Sequence, residues 1–295
     1  MKSWELGMNK WESGKINWKR ILLAICVVSF ALAGIVFVYG YRQMADTEHY
    51  NQEYTFKLAD IKKIKIDGAD TEINFIPVDG EEIKVNISGS LMKNQRPIIA
   101  EQRGSQLRIA QRLKIFNFSI RPFDSDNVID IYINPNYGKD VDIDSASKAI
   151  NINDLKAEDL SVNNVSGNIE LVGVECETIE LETASGEIDV QGLLSRKSKI
   201  STISGNVDLN EFSGDLKGSS ASGSYTVTYS NFDNDIDLDT ISGDITLKLG
   251  GATDFILDTD SVSGRVKNEF GNTLLGAGKN KINLDTASGN MYINK

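Results

Sequence analysis

Asn164-Val165-Ser166-Gly167-Asn168-Ile169-Glu170-Leu171 returns, in the same grammar, as Thr183-Ala184-Ser185-Gly186-Glu187-Ile188-Asp189-Val190. The corner recurs as Thr202-Ile203-Ser204-Gly205, Ser220-Ala221-Ser222-Gly223, Thr240-Ile241-Ser242-Gly243, Ser261-Val262-Ser263-Gly264 and Thr286-Ala287-Ser288-Gly289. An earlier copy, Ser145-Ala146-Ser147-Lys148, has lysine in place of glycine. The serines at 147, 166, 185, 204, 222, 242, 263 and 288 are 19, 19, 19, 18, 20, 21 and 25 residues apart. A period near twenty, kept over eight copies, is the mark of stacked repeats.

Both sides of each corner alternate. Ile179-Glu180-Leu181-Glu182-Thr183 precedes one corner and Ile245-Thr246-Leu247 follows another. Period two is a half-buried strand, and the three- and four-residue spacings of a helix are missing. Stacking would sort residue types into columns. Two positions before each serine stand Ser145, Asn164, Thr183, Thr202, Ser220, Thr240, Ser261 and Thr286, all small and polar, as a ladder of side chains bonded to the copies above and below would require. Three positions after it stand Ile150, Ile169, Ile188, Val207, Tyr225, Ile245, Val266 and Met291, an interior apolar column. The glycine suits a corner that needs a left-handed φ or a close backbone approach. A single repeat cannot bury its apolar side alone. The expected fold is all-β, a right-handed single-chain β-solenoid of about eight rungs, roughly 38 Å long at one strand spacing per rung. A β-sandwich with Ser-Gly hairpin turns would also space its short strands evenly. Nothing in it would require residue types to agree column by column.

The chain divides into five parts. Residues 1–20 carry Lys2, Lys10, Lys15, Lys19 and Arg20 against Glu5 and Glu12, and hold Trp4, Trp11 and Trp18 seven apart. They read either as a cytoplasmic tail lying in the headgroup region or as a tail with incidental aromatics. Ile21 to Tyr41 is uncharged and long enough to span a bilayer. Lys19-Arg20 on one flank, against Arg42 followed by Asp46 and Glu48 on the other, places the N-terminus inside. The apolar run continues past Ala31-Leu32-Ala33, which favours an uncleaved signal anchor over a removed signal peptide. Residues 42–54 read as a polar stalk. Residues 55–140 are strand-rich without the repeat and hold all four prolines (77, 97, 122 and 135), so they read as a cap on the first rung. Residues 141–295 are the repeat region. It carries 12 basic and 25 acidic side chains, net −13, against net −1 for residues 42–140.

Few residues suggest chemistry. The two cysteines are Cys26, in the apolar run, and Cys176, so no disulfide framework or cysteine metal cluster is available outside the membrane. His49, in the stalk stretch, is the single histidine, which removes histidine triads and zinc sites from the repeats. Asp237 and Asp239 precede one corner, Asp258 and Asp260 the next, and Asp285 the one after. Carboxylates on neighbouring rungs could hold a hard cation, could act as acid and base on a polysaccharide, or could form a solvated acidic face. The calcium-binding repeat Gly-Gly-x-Gly-x-Asp is absent. Arg103, Arg108, Arg112, Lys114 and Arg121 follow one another with no acid between Glu101 and Asp124, among Phe116, Phe118 and Phe123. Such a segment could meet anionic lipid headgroups or wall polymers, or be a polar strand face over a small core; outside the membrane nucleic acid is the least suitable of its ligands.

An N-terminal anchor, the opening Ile64-Lys65-Ile66-Asp67-Gly68-Ala69-Asp70-Thr71-Glu72-Ile73 and tandem Ser-Gly rungs resemble the bacterial Toastrack family, also labelled a putative adhesin family. The layout is similar to that of LiaG-like membrane-anchored envelope-stress proteins. The resemblance covers about residues 55–295 and implies an extracytoplasmic β-helical domain, with no catalytic residues to carry over. Lys148 and the wide interval from 263 to 288 depart from the repeat. The expected function is non-catalytic: binding or scaffolding at the membrane–wall interface during envelope stress, with the membrane, stress-response membrane proteins or wall polymers as partners and no cofactor. A surface adhesin and a polysaccharide-processing enzyme are the alternatives.

Overall fold

Strand after strand buries every second side chain. In Ile236–Thr240 the apolar Ile236 and Leu238 and the hydroxyl of Thr240 go in while Asp237 and Asp239 face out. The computed structural model describes residues 47–92, 96–111 and 126–295. Among these the fold is all-β, with one 3-10 turn at Leu58–Asp60. The strand before each corner and the strand after it enter two different parallel sheets, here the leading and the trailing sheet. Ile169 pairs with Ile150 on one side and Ile188 on the other, and the same register carries Asn164 onto Ser145 and Thr183. Register is exact because any slip would turn an apolar column outward.

Among the described residues the stack has ten two-strand levels, and their order in space differs from their order in the chain. Gln106–Gln111 with Asn127–Ile133 comes first, then Lys63–Gly68 with Thr71–Pro77, then Lys139–Ser145 with Ile150–Asn153. Four levels follow in chain order, from Lys156–Asn164 to the level that ends in Tyr225–Tyr229. Ile236–Thr240 with Ile245–Leu249 is next. Upon it sits the C-terminal pair Asn280–Thr286 and Met291–Asn294, and outermost lies Phe255–Ser261 with Val266–Asn268. The chain thus steps over one level and returns to fill it, which explains the 25-residue interval.

Three expectations change. Residues 55–140 do not only cap the stack: Lys63–Gly68 with Thr71–Pro77, and Gln106–Gln111 with Asn127–Ile133, supply its first two levels, so the ladder begins before residue 141 and exceeds eight rungs. The caps proper run antiparallel. Ile98–Arg103 covers Gln106–Gln111, Glu82–Met92 covers Asn127–Ile133, and Leu274–Leu275 covers the start of Phe255–Ser261. Residues 47–54, placed in the stalk, belong to the strand Thr47–Lys57, which pairs with Glu82–Met92. Residues 1–46, including the apolar run Ile21 to Tyr41, lie outside the described residues. Among the described ones no helix is long and apolar enough to cross a membrane.

The small polar column bonds to neighbouring copies at some levels, Asn164 Nδ2 donating to the Lys148 carbonyl at 2.8 Å and the Thr240 and Thr286 hydroxyls to the Gly223 and Gly243 carbonyls at 3.4 Å, and it has a second task. Thr183, Thr202 and Thr240 each accept the N–H of the glycine three residues on, at 3.0, 2.9 and 3.1 Å, and so close their own corners. Copies are joined also by the exposed serines: Ser166 Oγ and backbone N both donate to the Ala146 carbonyl at 3.0 Å. The glycines are required by approach. A Cβ on Gly205 would lie 1.8 Å from the Gly186 carbonyl oxygen, and on Gly186 2.0 Å from that of Gly167. Lys148 is tolerated where the level beneath, Gly68-Ala69-Asp70-Thr71, is not a Ser-Gly corner.

Candidate binding groove

The leading sheet is bent by a recurring bulge. In Lys156–Asn164 both Glu158 and Asp159 are exposed before alternation resumes at Leu160, and the register to the previous level shifts between Ala157 and Leu160. Glu177-Thr178 and Arg196-Lys197 repeat the device one and two levels on. An extra residue in one strand kinks it and raises its twist. Asp215 stands alone at this place, and the interval from Ser204 to Ser222 is accordingly one residue shorter.

Beside this column runs an open groove of about 680 Å³. It crosses six consecutive levels, from Asp159–Ser161 to Lys281 and Asn283. Its floor is the buried column Leu160, Ile179, Ser198, Leu216 and Ile236. Its rims are charged. Lys199 spans Glu180 at 2.5 Å and Glu182 at 2.8 Å, and these hydrogen bonds hold its ammonium far above the usual lysine range. The same contact draws the Glu182 carboxyl below its ordinary pKa. Lys217 meets Asp237 at 3.0 Å, and that bond raises the lysine pKa. Asp215 accepts the Asp235 N–H at 3.1 Å, and Asp235 the Lys281 N–H at 2.7 Å, so these acids serve the backbone. Lys197 and Lys281 are exposed, with no ion-pair partner among the described residues. A groove of this kind offers two free ammonium groups and a row of fixed dipoles to an elongated, hydroxylated or anionic chain.

The acidic candidates do not assemble as their spacing suggested. The level Asn280–Asn294 enters between the levels of Asp237 and Asp258, so Asn283 separates those two carboxylates. Asp285 stands instead between Asp239 and Asp260 in one column. Partial burial first, then the charges of Asp239 and Asp260, push its pKa up. Among the described residues no group of three or more histidine, cysteine or acidic side chains is placed to hold a metal ion. The basic segment is divided. Arg108 contacts Asp67 at 2.8 Å and Arg103 contacts Glu101 at 2.5 Å, so both are already paired; Arg112, Lys114 and Arg121 lie outside the described residues. Cys176 is buried in the stack, and burial pushes its thiol up to about 12.

A second cleft, of about 1100 Å³, gathers Lys57, Lys62, Lys84 and Lys139 with Asp79, Glu81 and Glu82 beside the buried Tyr137. Its lysines come from three separate segments, 57–62, 84 and 139, so no single run in the sequence marks it. The groove lysines are equally scattered, at 197, 199, 217 and 281. The signal that could have found them is their common column after the bulge.

With the stack, its corners and its groove placed, the family follows. The family model described as Toastrack DUF4097 matches residues 61–294. The chain belongs to the Toastrack family. The match opens at Ile61 and takes in the first two levels, as the pairing does. A "putative adhesin" from Bacteroides fragilis is similar at 14% identity, covering 83% of this Toastrack chain and 97% of its own, with a TM-score of 0.49. A "putative lipid binding protein" from Parabacteroides distasonis is 17% identical over 82% of this chain and 96% of its own, TM-score 0.46. A further "putative adhesin", from Parabacteroides merdae, is 12% identical over the same shares, TM-score 0.41. No protein of curated function matches the chain.

Proposed function

We propose that this Toastrack protein is a non-catalytic, membrane-anchored extracytoplasmic protein that holds a cell-wall polymer at the membrane–wall interface, in the manner of a LiaG-like envelope-stress component. The observation that carries the reading is the groove, which runs along six levels with Lys197 and Lys281 open to a ligand. A groove along a rigid stack suits an extended polymer, because successive levels present the same column of atoms at one strand spacing. The uncharged run from Ile21 to Tyr41 supplies the anchor, and the flanking charges set the C-terminal part outside. The non-catalytic reading is supported by Asp237, which is occupied by Lys217, and by Asn283, which stands between Asp237 and Asp258.

The full chain in detergent should bind isolated wall polymer, and Lys197→Glu with Lys281→Glu should weaken binding at least about tenfold, as loss of two charge contacts would. Equal binding by the double variant, or none by the wild type, would remove the groove reading. Protease added to intact protoplasts should digest residues 48–295; their protection would refute the topology. Release of product from wall polysaccharide, abolished by Asp237→Asn or Asp258→Asn, would make the protein an enzyme.

A further inference from the structure

The middle residue of each corner lies at the surface, exposed except at the half-buried Ala184 and Ala221, and its identity follows the order of the levels in space. Backbone hydrogen bonds link these corners in the succession Ala69, Ala146, Val165, Ala184, Ile203, Ala221, Ile241, Ala287, Val262. From Ala146 onward, alanine and a β-branched residue alternate without exception. In chain order the alternation breaks, because Ile241 is followed by Val262 and then Ala287. The insertion of the C-terminal level restores it. The β-branched members are the ones that protrude: Val165 is 57% exposed, Ile203 61%, Ile241 63% and Val262 85%. Four aliphatic side chains exposed in one line, each with an alanine between, form a ridge of knobs and holes about 34 Å long at one strand spacing per level.

Such a ridge is its own complement. Turned end for end, the eight positions from Ala146 to Val262 place each knob opposite a hole: Val165 meets the partner's Ala287, Ala184 the partner's Ile241, and Ile203 the partner's Ala221. We propose that this ridge is the contact surface of an antiparallel two-fold dimer of the chain. A parallel pair in register would set knob against knob; shifting it by one level would relieve that but leave an open, non-closing contact, whereas the antiparallel arrangement closes. The two-fold axis keeps both leading sheets on the same side. The acid column Asp239, Asp285 and Asp260 of one copy then faces the half of the other in which Lys65 holds Asp144 and Lys199 holds Glu182.

Cysteine pairs test the geometry in the full chain, in a Cys26→Ser background with Cys176 left buried. Val165 and Ala287 of one chain are five levels apart, about 24 Å, too far for a bond within the chain. Mild oxidation of the Val165→Cys, Ala287→Cys double variant should therefore give a covalent dimer, and neither single variant should. Dimers from a single variant, or none from the double, would overturn the proposal. Independently, Ile203→Ala with Ile241→Ala should raise the dimer dissociation constant at least about 100-fold in sedimentation and leave the melting temperature of the monomer, read at concentrations below that constant, unchanged, since both side chains are exposed in a single copy. A dimer that survives this change but is lost on altering Val266, at the uncovered end of the trailing sheet, would assign the contact to the end of the stack and reject the ridge.

Discussion

At the scale of single residues, the stack tolerates little at its corners and compensates where it departs from the repeat. Tyr225 stands where other levels have isoleucine, valine or methionine, and it fits because Gly218 leaves room in the leading sheet; a Cβ there would lie 2.6 Å from Leu238 and 2.9 Å from the Tyr225 ring. The Tyr225 hydroxyl donates to the carbonyls of Ile200 at 2.7 Å and Ser219 at 2.9 Å. Gly205→Ala should cost more than about 3 kcal/mol, because the new methyl meets backbone of the next level and cannot be accommodated by a rotamer; a denaturant melt within 1 kcal/mol of wild type, again on the order of a surface substitution, would contradict the close approach. Asp285 gives a pH signature. Its folded pKa is raised, so it adds stability only below the ordinary carboxylate range, and that contribution is lost as pH rises through the raised value. Asp285→Asn should therefore raise the melting temperature near neutral pH and lose its advantage below about pH 4. The same gain at every pH would sink the charge argument.

At the scale of elements, what matters is which strands have neighbours on both sides. Asn280–Thr286 and Met291–Asn294 end the chain but lie inside the stack, whereas Val266–Asn268 is an edge, with Val266 46% exposed. Edge-to-face rings extend the core to this end: Phe212 on Tyr229, Tyr229 on Phe232 and Phe255 on Phe270, each pair 5.1 Å apart. Amide exchange should thus be slower in 280–294 than in 255–268, although chain termini ordinarily fray first. The reverse order would contradict the inserted level. Deleting residues 280–295 should unfold both flanking levels, not trim a tip.

For the compact unit Glu48–Lys295 as a whole, charge and connectivity pull in different directions. The repeat region carries net −13, and only part of it is met by pairs such as Lys199 with Glu182 or Lys279 with Asp233. Uncompensated like charge destabilises a compact state, and salt screens it. Raising ionic strength from about 0.01 to about 0.15 M shortens the screening length from ~30 to ~8 Å. The melting temperature should rise over that interval. A fall would mean that the rim ion pairs outweigh the repulsion between acid columns.

The amino-acid sequence by itself determined the strands, their period, the corner and the columns. Each is a local property: Thr183 closes the corner on Gly186, Ile188 points inward because Glu187 and Asp189 do not, and nineteen residues later the same choices recur. The small polar column was legible as a column, and so was part of its bonding to neighbouring levels, while the bond that Thr183, Thr202 and Thr240 accept from their own corner N–H was not, because the same oxygen can serve both. The groove was hidden, since its lysines share a column only after a bulge that no single residue announces. The order of the levels belonged to the tertiary structure alone. Most levels present a small polar residue, a glycine and the same apolar positions to their neighbours, so local register leaves those levels interchangeable. Only long connections and end caps choose among them: the excursion through residues 78–105 at one end and the wide interval from 263 to 288 at the other. That choice separates Asp237 from Asp258, brings Asp285 between Asp239 and Asp260, and makes the corner ridge alternate.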